Sequence, residues 1–212
     1  MGLPELLSPD PNSGREGKKG KRFETKELLM LLALDRKGPM GRYRLKDAIG
    51  LSEHEGLVKQ MLANLQKHGY ISASRSGCTL TEKGKTLLKN CLKALHIVEI
   101  KRFDIPLLRA GPISIGSQLE DAANKIRSAM EIRDIAVRGG ATGATIILFR
   151  EGKLILPSVD PDFLSENLGL AKNIQDSFAL EDDDVIAIVS AEDEWSGFEA
   201  SIKIAEALSE RI

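Results

Sequence analysis

The stretch LSEHEGLVKQMLANLQKHGYI, residues 51–71, decides how the first half of the chain is read. Leu57, Val58, Met61, Leu62 and Leu65 recur at helical spacing, so Glu53–His68 is expected to be a helix with one buried stripe. Ser52 stands at the expected N-cap. Glu55 is read as completing that cap only in part. Gly69 is expected just past the helix end, where a left-handed residue stops it. Tyr70–Ala73 and Cys78–Leu80 then read as two short strands around the polar turn Ser74-Arg75-Ser76-Gly77.

Working outward, Leu45–Ile49 is a short helical segment closed by Gly50. Thr25–Arg36 is an apolar-faced helix built on Leu28, Leu29, Leu31, Leu32 and Leu34 and ended by Gly38-Pro39. Downstream, Thr81 is expected to cap a helix reaching about Leu95, with Leu87, Leu88, Cys91, Leu92 and Leu95 on one stripe. The order helix, helix–turn–helix, hairpin, helix is the layout of a winged helix, so residues 23–95 are expected to form a winged helix-turn-helix domain. Residues 1–22 carry three prolines, four glycines and few large apolar side chains after Leu7. They are expected to be a disordered arm ending in the basic cluster Lys18, Lys19, Lys21 and Arg22.

From residue 96 the pattern changes, and 96–212 is expected to be a second, α+β domain. Ile97–Phe103 reads as a strand, and Ser117-Gln118-Leu119-Glu120 as a capping box opening a long helix through Ala123, Ile126, Met130 and Ile135 to Gly139-Gly140. Thr145–Phe149 and Leu154–Leu156 read as a hairpin about Glu151-Gly152. Helical signals lie between Pro161 and Phe178, Val185–Val189 reads as a central buried strand, and Ser196 with Glu199 suggests the cap of a last helix. The βαββαβα succession contains the order of a ferredoxin-like fold. The class is therefore α+β in two domains, the second an α/β sandwich with ferredoxin-like order.

Composition narrows the functional classes. With 42% hydrophobic and 29% charged residues the chain is globular, and its longest apolar runs fall far short of a membrane span. The first residues lack the layout of a secretory signal. Cys78 and Cys91 form neither a metal-binding spacing nor a disulfide framework. A cytoplasmic location with reduced thiols is expected. The net charge of −1 splits into +8 for residues 1–95 and −9 for 96–212, so a polyanion is expected to meet only the first half.

The stretch GRYRLKDAIGLSEHEGLVKQMLANLQKHGYISASRSGCTLTEKGKTLL, residues 41–88, resembles the winged-helix domains of archaeal and bacterial regulators. Its most telling pieces are residues 51–71 and LTEKG at 80–84. The whole chain resembles a group of archaeal winged-helix proteins whose C-terminal half has no assigned activity. That likeness rests on RGGATGATIILFREGKLILP (138–157) and SAEDEWSGFEA (190–200). The resemblance implies a sequence-specific transcription regulator acting on duplex DNA, expected as a homodimer. A protein-binding winged-helix adaptor and an enzyme with a regulatory winged helix are the alternatives.

On the expected recognition helix, Ser52, Glu53, His54, Leu57, Lys59 and Gln60 fall on or beside the outward face of the first turns. Gln60 can pair with adenine, Lys59 can reach guanine or phosphate, and Leu57 can touch a thymine methyl. Glu53 and Glu55 are awkward beside DNA: either accepts from a cytosine amino group or supports the helix N-terminus. Arg42 and Arg44 are candidate phosphate clamps, Arg75 a wing contact, and the arm cluster a minor-groove or phosphate contact. His68 and His96 read as structural.

In the second half, Arg138, Gly140, Thr142, Gly143 and Thr145 are candidate ligand contacts, because backbone amides in a glycine-rich turn can cradle an anion. Against this, no Gly-Lys-Ser/Thr ending follows, and the expected helix precedes the glycines, which a helix end and turn also explain. The acidic runs Glu181–Asp184 and Glu192–Glu194 read as solvated loops before cation sites, and Trp195 and Phe198 as core anchors. With no nucleophile–base pair, zinc spacing or dinucleotide fingerprint, neither catalysis, a metal nor a cofactor is expected. The second domain is expected to sense a small-molecule effector or to dimerise.

Overall fold

The computed structural model describes residues 18–157 and 163–210, and it divides after Ala94 into two compact units; the expected boundary at 95 falls one residue later. The chain is α+β, with a two-stranded and a five-stranded sheet among the described residues.

The first unit runs α1 (Lys18–Lys37), α2 (Arg42–Ala48), α3 (Glu55–Lys67), the hairpin β1 (Ile71–Ser74) and β2 (Gly77–Leu80), and α4 (Glu82–Ala94). Leu28–Leu34 are buried throughout, as are Leu45, Ile49, Val58, Met61, Leu65, Leu87, Leu88 and Cys91. Residues 1–17 of the expected arm lie outside the described residues. The arm does not extend to 22 as expected: α1 already begins at Lys18 and takes in the basic cluster, whose side chains are outside the description. Nothing after Pro11 in that stretch is a proline, so no residue there forbids helical backbone.

The start of α3 also differs from expectation. His54, not Ser52, holds the N-cap position, with no side-chain cap. The Ser52 hydroxyl instead donates to Asp47 Oδ1 at 2.8 Å, and the His54 amide closes a turn on the Leu51 carbonyl at 2.8 Å. The far end follows expectation. Gly69 adopts φ +73°, its amide bonds to Gln66 O at 2.9 Å, and the Tyr70 amide bonds to Leu65 O at 2.9 Å, a Schellman motif that turns the chain into β1.

Two close approaches fix the rest of this unit. Met40, between α1 and α2, pairs with Cys78 through two backbone bonds of 3.0 and 2.9 Å, which adds a third strand position to the hairpin. A Cβ on Gly77 would lie 2.5 Å from the Met40 backbone. Thr81 accepts from the Gly84 amide at 3.1 Å and donates to Gly69 O at 2.7 Å, so it caps α4 and ties it to the α3 exit. Gly84 is required because a Cβ there would sit 2.0 Å from the Tyr70 carbonyl oxygen.

The second unit runs β3 (Ile97–Arg102), β4 (Ile113–Leu119), α5 (Ala129–Arg138), β5 (Gly143–Arg150), β6 (Lys153–Ile155), α6 (Phe163–Glu166), α7 (Leu168–Ser177), β7 (Val185–Ala191) and α8 (Glu194–Ser209). The sheet order is β3-β4-β7-β5-β6, every neighbouring pair antiparallel, so β4 and β5 run parallel on either side of the fully buried β7. Helices α5 and α8 pack on β5, β4 and β7. Phe103, Ile147, Leu154, Leu164, Ile174, Phe178, Ile186 and Ile188 form a separate apolar cluster that includes α6 and α7.

Here the sequence expectation fails at one element. Ser117–Glu120 opens no helix: Ile113–Leu119 is a strand, with Ser117 buried opposite Ala187 and Ile100. The capping box lies eleven residues on, where Ser128 accepts from the Glu131 amide at 3.4 Å and starts α5. The final helix is likewise capped by Asp193, which accepts from the Trp195 and Ser196 amides at 2.9 and 3.0 Å, and not by Ser196. Glu199 pairs instead with Lys203 one turn on, at 2.8 Å.

Candidate nucleic-acid interface

The pattern of burial on α3 leaves a defined outward face. Val58, Met61 and Leu65 are buried and Leu57 is half-buried, while Gly56, Lys59, Gln60, Ala63, Gln66 and Lys67 are exposed. The space above Gly56 is open for 4 Å around the position of a Cβ. Such a face carries two cations and two amides but no bulky apolar side chain. Sequence reasoning identified Lys59 and Gln60 but missed Gly56 and Ala63, whose small size lets the helix backbone come close to a surface.

At the start of the same helix, Ser52, Glu53 and His54 are exposed. Glu55 forms an ion pair with Arg42 of α2, Arg42 Nη2 lying 2.8 Å from Glu55 Oε1. The Arg42 guanidinium also reaches the Tyr43 hydroxyl at 3.5 Å and lies 5.2 Å from the centre of the Tyr43 ring. The bond to Tyr43, and then the charge of Glu55, hold Arg42 above its ordinary pKa. Tyr43 is 61% exposed, and Lys46 Nζ lies 5.6 Å from its ring. Tyr43 was missed in the sequence, although the alternation Arg42-Tyr43-Arg44-Leu45-Lys46 of cations about an aromatic was there to find it. Arg44 is exposed beside it.

The hairpin presents a small polar tip. Ser74 donates to Gly77 O at 3.0 Å and lies 2.8 Å from the Ser76 hydroxyl, which fixes the turn and leaves Arg75 exposed at its apex. Among the described residues neither Arg44, Lys59 nor Arg75 forms an ion pair.

The glycine-rich turn of the second unit is differently built. Gly139 packs on α8, with Ala200 Cα 3.2 Å from the place of its Cβ, and Gly140 adopts φ +103°. Gly143 lies against Ala110, and the Thr142 hydroxyl lies against Gly111, where a Cβ would be only 2.5 Å away. Arg138 is exposed in the last turn of α5. Thr145, by contrast, lines a small cavity of about 110 Å³ with Ala129, Met130, Arg133, Ile146 and Leu156. The five candidate ligand residues therefore do not converge on one pocket.

The acidic run Glu181–Asp184 is not a solvated loop throughout, as the sequence suggested. Asp184 is buried and accepts from Gln118 Nε2 at 2.7 Å and from the Glu181 amide at 3.0 Å. Asp183 accepts from Arg150 Nε at 3.0 Å, while its carbonyl accepts from the Ala122 and Ala123 amides at 2.9 Å each. These carboxylates tie β4, the hairpin β5–β6 and the approach to α5 together. Among the described residues no group of three His, Cys, Asp or Glu is placed to hold a metal ion, and no helix is long and apolar enough to cross a membrane.

Residues 110–208 match the family model described as a domain of unknown function, DUF4443. The chain is also similar in structure to the hypothetical protein PH0730 from Pyrococcus horikoshii OT3, with a TM-score of 0.65 and 23% identity, over 87% of this chain and 92% of that one. At that identity the likeness is one of fold. No curated protein matches the sequence.

Proposed function

We propose that residues 23–95 are a winged helix-turn-helix that binds duplex DNA with sequence preference, with α3 in the major groove, and that the second unit governs it by sensing a ligand or by dimerising. The observation that carries this reading is the joint geometry of Met40, the hairpin and α3. The Met40–Cys78 pairing ties the hairpin to the segment between α1 and α2, which supports reading it as a wing. The outward face of α3 holds only small, amide and cationic side chains from Gly56 to Lys67.

The physical case is that a groove about 12 Å wide admits an α-helix, whose amide and cationic side chains then reach base edges. Gln60 supplies a bidentate amide for adenine and Lys59 a donor for guanine, while Arg44 and Arg75 lie where backbone contacts set the register. The +8 charge of residues 1–95 supplies the long-range attraction. For the second unit, the expected ferredoxin-like succession began at β3; the elements β4, α5, β5, β6, α6, α7 and β7 instead carry a βαββαβ succession, with β4 and β5 parallel and separated by one strand. The separating strand is the last one, β7, with β6 at the sheet edge, which departs from the ferredoxin-like strand order.

Selection of random duplexes by the purified full-length chain tests the proposal, and one enriched motif is the expected result. Affinity for that motif should fall steeply with salt. Lys59→Ala and Gln60→Ala should each cost roughly 1–3 kcal/mol and relax the preference at one position. Selection that enriches nothing, with binding indifferent to salt, would overturn the reading in favour of a protein-binding adaptor.

A further inference from the structure

We propose that Arg42 acts on the DNA-facing helix by neutralising Glu55, and not by gripping a phosphate itself. The ion pair Arg42–Glu55 would then govern how closely the start of α3 approaches DNA. This inference rests on the DNA-binding reading above and assigns Arg42 a role different from the clamp that its position in the sequence suggests.

The start of α3 is unusual for a helix that meets a polyanion. It has no side-chain cap, since His54 makes none and the Ser52 hydroxyl is committed to Asp47. Glu53 and Glu55 place two carboxylates there. A carboxylate in the first turn complements the helix dipole, but within a Debye length of about 8–10 Å it repels the phosphates that the helix must approach. Arg42 meets this conflict at one of the two acids, with Nη2 2.8 Å from Glu55 Oε1.

The same guanidinium is held on its other side by Tyr43, through the hydroxyl at 3.5 Å and the ring at 5.2 Å. It is therefore oriented between α2 and α3 by two protein groups. Arg44, exposed and without an ion pair among the described residues, is left as the neighbouring cation free to take a phosphate. Arg42 is thus a positioning residue that acts through Glu55.

A double-mutant cycle on the selected duplex distinguishes the two roles, using the full chain with Arg42→Ala, Arg42→Gln, Glu55→Gln, each Arg42 change combined with Glu55→Gln, and Arg44→Ala. Thermal unfolding of every variant confirms that it is folded, and the glutamine change stands in should the alanine one fail to fold. If Arg42 works through Glu55, its replacement weakens binding about fivefold in the natural background and less than twofold beside Glu55→Gln, since coupled residues are non-additive. The salt dependence in the Glu55→Gln background is then the same with and without Arg42. Arg44→Ala instead lowers the slope of log affinity against log salt by about 0.9, the mark of one lost phosphate contact. Equal losses on replacing Arg42 in both backgrounds, with a slope reduced as for Arg44→Ala, would make Arg42 a phosphate clamp and overturn the inference alone. A wild-type chain that binds no duplex at any salt would overturn the DNA reading and this inference together.

Discussion

The two units use polar residues in opposite ways. On the first, Arg44, Lys59, Gln60 and Arg75 are exposed, and the three cations among them form no ion pair in the described structure. On the second, the stretches richest in apparent chemistry are engaged internally: Asp183 and Asp184 accept hydrogen bonds from β4, β5 and nearby backbone, and the glycines at 139 and 143 make room for neighbouring chain. Chemical residue types are therefore a poor guide to a site until their bonds are traced. A carboxylate surrounded by donors is part of the scaffold, whereas a cation without a partner is available to one.

The largest test of this contrast lies in the first unit, because its own scaffold depends on a glycine. Gly84→Ala would force a Cβ to within 2.0 Å of the Tyr70 carbonyl, against backbone that cannot swing aside. A loss of about 3 kcal/mol is expected in urea unfolding. A change under 1 kcal/mol would show that α4 can move away from the hairpin.

Next in size is Asp184→Ala, which takes one acceptor from the buried Gln118 amide, leaving it the Ala179 carbonyl at 2.8 Å, and removes the acceptor of the part-buried Glu181 backbone N–H. A loss of about 1–2 kcal/mol is expected. An unchanged midpoint for the second unit would return the acidic run to the surface-loop role that the sequence suggested.

The smallest effect separates the two cysteines of the first unit. Burial, and then the charge of Glu27, push the Cys91 thiol up to about 12, while Cys78 is only half-buried and raised by burial alone. Cys78 should therefore be alkylated first at pH 8, with Cys91 protected until the fold opens. The proton that Cys91 keeps in the folded state favours the unfolded chain once pH exceeds the thiol's ordinary value near 9. Stability should fall between pH 9 and 12 and fall less in Cys91→Ala. Equal alkylation of both thiols would show that α4 frays.

Much of the first unit could be read directly, because its signals are local. The Leu57–Leu65 stripe, Gly69 at the helix exit and Thr81 before α4 each act within a few residues of themselves. The candidate interface was legible to the same degree: Lys59 and Gln60 follow from the helical period. The ion pair of Arg42 with Glu55 joins residues thirteen apart and could not be read from either helix alone. Tyr43 carried a readable signal that residue-by-residue scanning for charge passed over.

The second unit marks the limit. By itself the sequence determined the helical and strand periods, the turn at Glu151-Gly152, the buried character of Val185–Val189 and the opposite charge of the two halves, since each depends on side-chain type and near neighbours. Tertiary structure decided the rest. Ser117-Gln118-Leu119-Glu120 has the local chemistry of a helix start, yet it ends a strand because Ile113–Leu119 pairs along its whole length with β7 and beside it with β3. Hydrogen bonds to two flanking strands, together with burial of Ser114 through Leu119, outweigh a capping preference worth about 1 kcal/mol. The partners that supply them on β7 lie 66 to 78 residues away, where no local pattern can register them.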